Sequence, residues 1–291
     1  MKTTGNEYST GKHVAVSRNG SNRPIQREIS DGSVVVETAQ PVARPVLIPR
    51  DQFLHEHFEY KPGEHITFLG PTQSGKTTLA FQLLQVSTHY KVLPGLVVVM
   101  KPRDPVVQDW AKKLDYRIIR DWPPPVHLRG RERWEKPNGY MVWPKHSFEP
   151  DEDDEHLGKV FHRALISAYR KGDTALFADE VYGLANELHY ATVRGKRITL
   201  ERDLKAIWTR GASMGCGLWA ASQRPYDVPQ LAYNSAEHLF LANDPDKRSR
   251  DRFGEIGGID PDILKAEVVK LPKYHWLYIR RTGPAMCIVG K

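Results

Sequence analysis

Five short apolar runs recur along the chain, His65–Leu69, Leu96–Met100, Thr174–Ala178, Gly217–Ser222 and His238–Ala242, with amphipathic stretches between them. Runs of this length without polar alternation predict strands buried on both faces. The intervening periodicity predicts helices over Lys76–Gln85, Pro105–Leu114, Leu157–Arg170 and Leu200–Thr209. Short buried strands alternating with helices define an α/β protein with a mostly parallel sheet covered by helices. The end of the chain breaks this rhythm. Tyr274–Arg280 and Ala285–Val289 flank Arg281-Thr282-Gly283-Pro284, which predicts a terminal β-hairpin. The beginning differs too. Residues 1–45 are rich in Ser, Thr, Asn, Gly and Gln around one small apolar patch, Val34–Val36, and are expected to form a flexible arm. Pro41, Pro45 and Pro49 lead into the apolar density that rises at Phe53, so one folded domain is expected over 46–291. The acidic stretch Glu149–Glu155 is expected to be a solvated loop.

With 40% hydrophobic and 26% charged residues in 291, the chain is of ordinary globular composition, which excludes fibrous and disulfide-stapled scaffolds. Lys+Arg 42 against Asp+Glu 35 leaves +7, a bias toward polyanionic partners that does not by itself name one. Cys216 and Cys287, both in apolar runs, suit a reducing compartment and point to an intracellular protein. No apolar run approaches the ~18 residues of a membrane span, and the first residues lack an apolar signal core. An intrinsic membrane segment is therefore not expected.

The segment Gly70-Pro71-Thr72-Gln73-Ser74-Gly75-Lys76-Thr77, followed by Thr78, matches G-x-x-x-x-G-K-[ST] in full. It follows a strand-like run and opens a helix-like one, the order its mechanism needs. Glycines let backbone N–H groups curl around phosphate oxygens, and the helix N-terminus adds partial positive charge. Lys76 is expected to reach the β- and γ-phosphates of ATP, and the Thr77 hydroxyl to ligate Mg²⁺. A second acidic site for the metal is supplied by Asp179 at the end of Thr174–Ala178. Glu180, one residue on, can accept a proton from an attacking water. Gln223, at the tip of the next apolar run, can sense the γ-phosphate.

Together, GPTQSGKTT (70–78), TALFADE (174–180) and RGASMGCGLWAASQRP (210–225) resemble the HerA-FtsK superfamily of P-loop motor ATPases. VVVMKPRDPVVQDWAKK (97–113) resembles that group's second core strand and its exit, with Lys101 at a position often held by lysine. The resemblance covers about 46–291 and implies a RecA-like (ASCE) fold with strand order 5-1-4-3-2. It further implies ATP hydrolysis and a homo-oligomeric ring, commonly hexameric, that moves or packages double-stranded DNA. Small phage or mobile-element members are the nearest in size and architecture. A capsid or secretion-channel partner and a cytoplasmic location, the host's if phage-encoded, would follow. The appended winged-helix domain of the chromosome translocases has no counterpart here.

A ring ATPase commonly borrows an arginine from its neighbour, since a mobile cation stabilises the transferring phosphoryl group. Arg210, before Gly211 and the fourth core strand, resembles the family's placement, with Arg224 as the alternative. Sequence-independent DNA grip uses Lys and Arg on phosphates. Arg194, Lys196 and Arg197, around Gly195 and near Tyr190, are read as a pore loop. Arg129, Arg131 and Arg133 beside Trp134 form a second basic cluster. The remaining alternatives are a nucleotide-switched assembly or extrusion ATPase that does not act on DNA, and a kinase-like phosphoryl transferase.

Overall fold

The computed structural model describes residues 25–28, 34–37, 45–132, 135–256, 260–282 and 285–291. Contacts divide the chain into two units, 1–44 and 45–291. In the first, β1 (Ile25–Glu28) and β2 (Val34–Glu37) pair antiparallel, and the rest of the proposed arm lies outside the described residues.

The second unit contains β3 (Val46–Ile48), β4 (His65–Leu69), β5 (Gly95–Val98), β6 (Tyr116–Ile119) and β7 (Gly139–Val142). It continues with β8 (Thr174–Ala178), β9 (His189–Val193), β10 (Lys196–Thr199), β11 (Cys216–Ser222), β12 (Ala236–Ala242), β13 (Trp276–Arg280) and β14 (Ala285–Val289). One sheet runs β3-β14-β13-β12-β4-β11-β8-β5-β7-β6. Only the pairings of β13 with β12 and β14 are antiparallel, so the terminal hairpin is present and the rest is parallel. The five expected core strands stand in the order β12-β4-β11-β8-β5, which is 5-1-4-3-2.

Alternate residues of each central strand enter opposite layers. Leu176 and Ala178 join Leu218 and Ala220 beneath the helices Pro150–Lys171 and Glu201–Arg210. Ala175 and Phe177 join Trp219, Ile66 and Phe68 beneath Lys76–Ser87 and Pro105–Lys113. Both faces are apolar, which is why these strands carry no polar alternation. Among the described residues no helix is long and apolar enough to cross a membrane. Cys216 is buried, which pushes its thiol up to about 12, whereas Cys287 is only partly buried.

Three features depart from the expectation. The strands β6 and β7 extend the sheet beyond β5, and β3 adds to the other edge. The acidic stretch is no loop: it opens the helix Pro150–Lys171. Proline at the first helical turn and Asp151, Glu152 and Asp153 against the positive helix end favour helix there. Asp153 also accepts hydrogen bonds from the Ser147 and Phe148 amides, at 2.7 and 3.1 Å, tying the preceding chain to the first turn.

One buried titratable group locks β4 to β11. His65 Nδ1 accepts from the Leu218 amide at 2.9 Å, and burial lowers its pKa to about 4. The folded state thus holds a neutral ring that the unfolded chain protonates below its ordinary 6.5. Stability from this site is complete above the unfolded value and is lost on acidification from about 6.5 to about 4, a total of roughly 3 kcal/mol. Urea unfolding at about pH 7 and about pH 4.5 should show a smaller acid loss for His65→Gln than for the wild type.

Candidate active site

The parallel register brings three strand ends to one edge. Leu69 of β4 lies opposite Ser222 of β11, and Ala220 opposite Ala178 of β8. The glycine-rich turn leaves β4 at this edge, and its Gly70 amide donates to the Ser222 carbonyl at 3.3 Å. A Cβ on Gly70 would stand 2.6 Å from the Ala242 Cβ, so the chain passes β12 only as glycine. Gly75, at φ 93°, turns the loop into the helix Lys76–Ser87 with no side-chain cap. The first-turn amides are therefore available to an anion.

A cavity of about 340 Å³ lies here, lined by Thr72, Gln73, Gly75, Lys76, Thr77, Thr78, Lys101, Asp104, Val106, Asp179, Glu180 and Gln223. Lys76 is 8% exposed and donates to the Gly70 and Pro71 carbonyls at 2.8 and 2.9 Å. Burial lowers its pKa, while the carboxylates of Asp179 and Glu180 oppose that shift. Thr77 Oγ1 donates to Asp179 Oδ1 at 2.5 Å. Lys101 Nζ reaches Asp179 Oδ2 at 2.9 Å and Asp104 Oδ2 at 3.4 Å. Burial works against the Lys101 ammonium, but these carboxylates outweigh it and hold its pKa above the usual value.

Glu180 begins the short helix Val181–Asn186 and accepts from Ser222 Oγ at 3.1 Å and from the Gln223 amide at 3.3 Å. The Thr72 hydroxyl donates to Gln223 Oε1, which ties the tip of β11 to the phosphate loop. The Arg224 amide donates to Ser222 Oγ, and its guanidinium lies 5.7 Å from the Tyr182 ring centroid. Thr77 and Asp179 offer adjacent hard oxygen donors beside an uncapped helix start, a donor set that fits Mg²⁺.

Arg210 is not brought to this cavity. It is exposed at the end of the helix Glu201–Arg210, which leads into the amino end of β11, the opposite edge of the sheet. The segment read as a pore loop is a hairpin, with β9 and β10 paired antiparallel across Arg194 and Gly195, both at positive φ. Two left-handed residues in succession are what a tight hairpin turn requires. Arg194, Lys196 and Arg197 are exposed, and Arg197 pairs with Asp151 at 2.9 Å. Tyr190 stacks on His162 at 3.8 Å, and His162 bonds Asp203 at 2.7 Å, so Tyr190 packs the hairpin onto its neighbouring helix. In the second basic cluster, Arg133 and Trp134 lie outside the described residues, and Arg129 Nε donates to the Pro124 carbonyl. The pairing of Lys101 with Asp179, the Ser222 clamp on Glu180 and the Thr72 bond to Gln223 were not read from sequence. Each joins residues far apart in the chain, and the only local signal was the polar residue closing each apolar run.

The sheet order and the strand–loop–helix at its edge are those of a RecA-like P-loop fold. Its solved neighbours include the DNA-packaging ATPase B204 of Sulfolobus turreted icosahedral virus, 15% identical over 79% of this chain and 98% of that one, TM-score 0.53. The genome-packaging NTPase B204 of Sulfolobus turreted icosahedral virus 2, in complex with AMPPCP, is 15% identical over 79% and 99%, TM-score 0.50. VirB4 of Thermoanaerobacter pseudethanolicus is 11% identical over 94% and 97%, TM-score 0.55. No family model and no curated protein matches the sequence.

Replacing Gly70 by alanine should force the loop off β12. The expected outcome is a loss of about 1–3 kcal/mol in urea unfolding, together with weakened binding of a fluorescent ATP analogue.

Proposed function

We propose that the chain is a Mg²⁺-dependent ATPase whose hydrolysis cycle moves double-stranded DNA, working as a homo-oligomeric ring. The observation that carries the ATPase is the convergence of Lys76, Thr77, Asp179, Glu180 and Gln223 on one cavity at the carboxyl edge of the sheet. In this reading the loop amides and Lys76 hold the β- and γ-phosphate oxygens. Thr77 and Asp179 would hold Mg²⁺, which when bound neutralises part of the triphosphate charge. Water attacks the γ-phosphorus, the bond to the departing ADP oxygen breaks, and Glu180 takes the water's proton. Ser222 Oγ and the Gln223 amide aim that carboxylate. Gln223, bonded to Thr72, links phosphate occupancy to the tip of β11.

Arg210, out of reach of the cavity in its own chain, suits a role as the arginine donated to an adjacent copy. Movement of DNA is supported by the net charge of +7, by the exposed Arg194, Lys196 and Arg197, and by the fold shared with a viral DNA-packaging ATPase.

Glu180→Gln should keep ATP binding and lower steady-state hydrolysis by about 10²-fold or more, measured by phosphate release; unchanged turnover removes Glu180 from this role. Double-stranded DNA should stimulate the wild-type rate. Stimulation absent at every salt concentration would favour the nucleotide-switched assembly ATPase instead. In filter binding, alanine at Arg194, Lys196 and Arg197 together should reduce the slope of log affinity against log salt by about 3, and an unaltered slope would exclude the hairpin as the DNA grip.

A further inference from the structure

The turn that follows β7 presents one aromatic side chain to solvent. Phe148 is 69% exposed and adopts φ 69°, a left-handed conformation unfavourable to a bulky residue. Asp153, in the first turn of the helix Pro150–Lys171, holds it there. The Asp153 carboxylate accepts from the Ser147 amide and hydroxyl at 2.7 and 3.1 Å and from the Phe148 amide at 3.1 Å, and it meets His146 Nδ1 at 3.3 Å. An isolated exposed apolar residue is ordinary on a protein surface. One held in a strained conformation is not, because strain that the surroundings enforce collects where side chains engage other molecules.

The charge around the turn narrows what it can engage. Lys145 is the only Lys or Arg over 143–155, against Glu149, Asp151, Glu152, Asp153, Asp154 and Glu155. Asp151 pairs with Arg197 and Glu155 with Lys159, while Glu149, Glu152 and Asp154 have no ion-pair partner among the described residues. Such a surround repels nucleic acid and anionic membranes and favours a basic protein surface.

A surface of that kind lies toward the other end of the same helix. It surrounds a cavity of about 290 Å³ whose apolar lining is Pro94, Gly95 and Leu96 at the start of β5, Trp122 and Pro124 after β6, Tyr140 of β7 and Ala168 of the helix. The polar lining is Arg129, Ser167, Lys171 and Thr174, without a carboxylate. Trp122 and Tyr140 meet edge to face with centroids 6.1 Å apart, and both are half-buried, which leaves aromatic surface for a third ring. Arg129 and Lys171 are exposed and pair with no carboxylate among the described residues.

Phe148 cannot fill this cavity in its own chain. The turn adjoins the first turn of the 22-residue helix and the cavity adjoins its last two, about 20 Å away along the axis. The two also lie toward opposite edges of the sheet, since Phe148 follows the carboxyl end of β7 whereas the cavity takes in the amino ends of β5 and β8.

We propose that Phe148 of one copy of this chain inserts into this cavity of a second copy, with Glu149, Glu152 and Asp154 facing the Arg129 and Lys171 of that copy. The contact joins two different surfaces, so it repeats head to tail and closes as a ring when the rotation between copies allows. The inference rests on the homo-oligomer proposed above and names surfaces that build it, independently of nucleotide chemistry and DNA. Its sense is the one the Arg210 reading requires, the amino edge of one copy against the carboxyl edge of the next.

Sedimentation velocity on the full chain, from about 1 to 100 μM and with and without AMPPCP and Mg²⁺, tests this. The wild type should self-associate. Phe148→Ser, which removes the ring, and Ser167→Trp, which fills the cavity, should each weaken association about tenfold or more. Lys171→Glu, a change at an exposed position, should weaken it in the same direction. An equimolar mixture of Phe148→Ser and Ser167→Trp should form dimers at the wild-type affinity and stop there, because one chain keeps its cavity and the other its phenyl ring. Thermal melts report whether each variant is folded. A wild-type oligomer that folded Phe148→Ser and Lys171→Glu chains form equally well overturns the assignment and leaves the ring standing. So does a mixture that behaves as the sum of its parts. Normal self-association of Phe148→Ser with weakened DNA binding would make the turn a DNA contact and overturn it as well. A wild type that stays monomeric in every condition removes both this contact and the oligomer.

Discussion

The parallel register of β4, β11 and β8 is the constraint on which the rest of this molecule depends. Leu69 opposite Ser222 and Ala178 opposite Ala220 oblige the glycine-rich turn, the Asp179-Glu180 pair and Gln223 to leave the sheet at the same edge. A slip of one residue in any of these strands would exchange its two buried faces, sending Trp219 or Phe177 into the layer now filled by Leu218 and Leu176. The two apolar layers therefore hold the geometry of the cavity in place. Thr77 and Asp179 meet because Phe68, Phe177 and Trp219 are locked in one layer.

What could be read from sequence follows the same physics. The buried strands announced themselves because neither face meets water, and the helix starting at Lys76 because its glycine-rich entry permits few other structures. β6 has no clear sequence signal because Arg117 interrupts its four residues, and the guanidinium is accommodated by the Leu128 and Glu135 carbonyls, contacts made across a loop. The hairpin β9–β10 resembled a basic loop since its strands are largely exposed and carry no apolar alternation to betray them. Its anchor is tertiary: Gly158 lets the His189 backbone lie directly on the helix Pro150–Lys171, where a Cβ would be 2.0 Å from the His189 carbonyl oxygen. The acidic run that opens that helix is the converse case: its charge density suits a solvated loop, yet the dipole of a helix start favours carboxylates in the first turn.

The site was legible in its residues and illegible in its bonding. Motif spacing identifies Lys76, Thr77, Asp179, Glu180 and Gln223 as residue types suited to phosphate, metal and proton, but spacing says nothing of which side chains hold one another. The structure shows a closed set of exchanges: Thr77 with Asp179, Lys101 with Asp179 and Asp104, Ser222 with Glu180, and Thr72 with Gln223. Buried polar groups without partners destabilise a fold by a few kcal/mol each, so pairing of the buried Ser222 and the half-buried Thr77, Asp104, Asp179 and Glu180 is a requirement of building this cavity, whereas Thr72, Lys101 and Gln223 are exposed.

That requirement has a mechanical consequence. These exchanges tie different structural elements together: Lys101 links Asp179 to Asp104 at the start of the helix Pro105–Lys113, Thr72 links the glycine-rich loop to Gln223 at the end of β11, and Ser222 links β11 to Glu180 at the start of the helix Val181–Asn186. Asp104 sharpens the point, because its carboxylate caps the helix Pro105–Lys113 through the Val106 and Val107 amides while also meeting Lys101. A change at Asp179 is thus felt at a helix terminus through one shared lysine. Communication between distant groups needs an element that both can bias, and at this edge the side-chain bonds join the glycine-rich loop, the end of β11 and two helix starts.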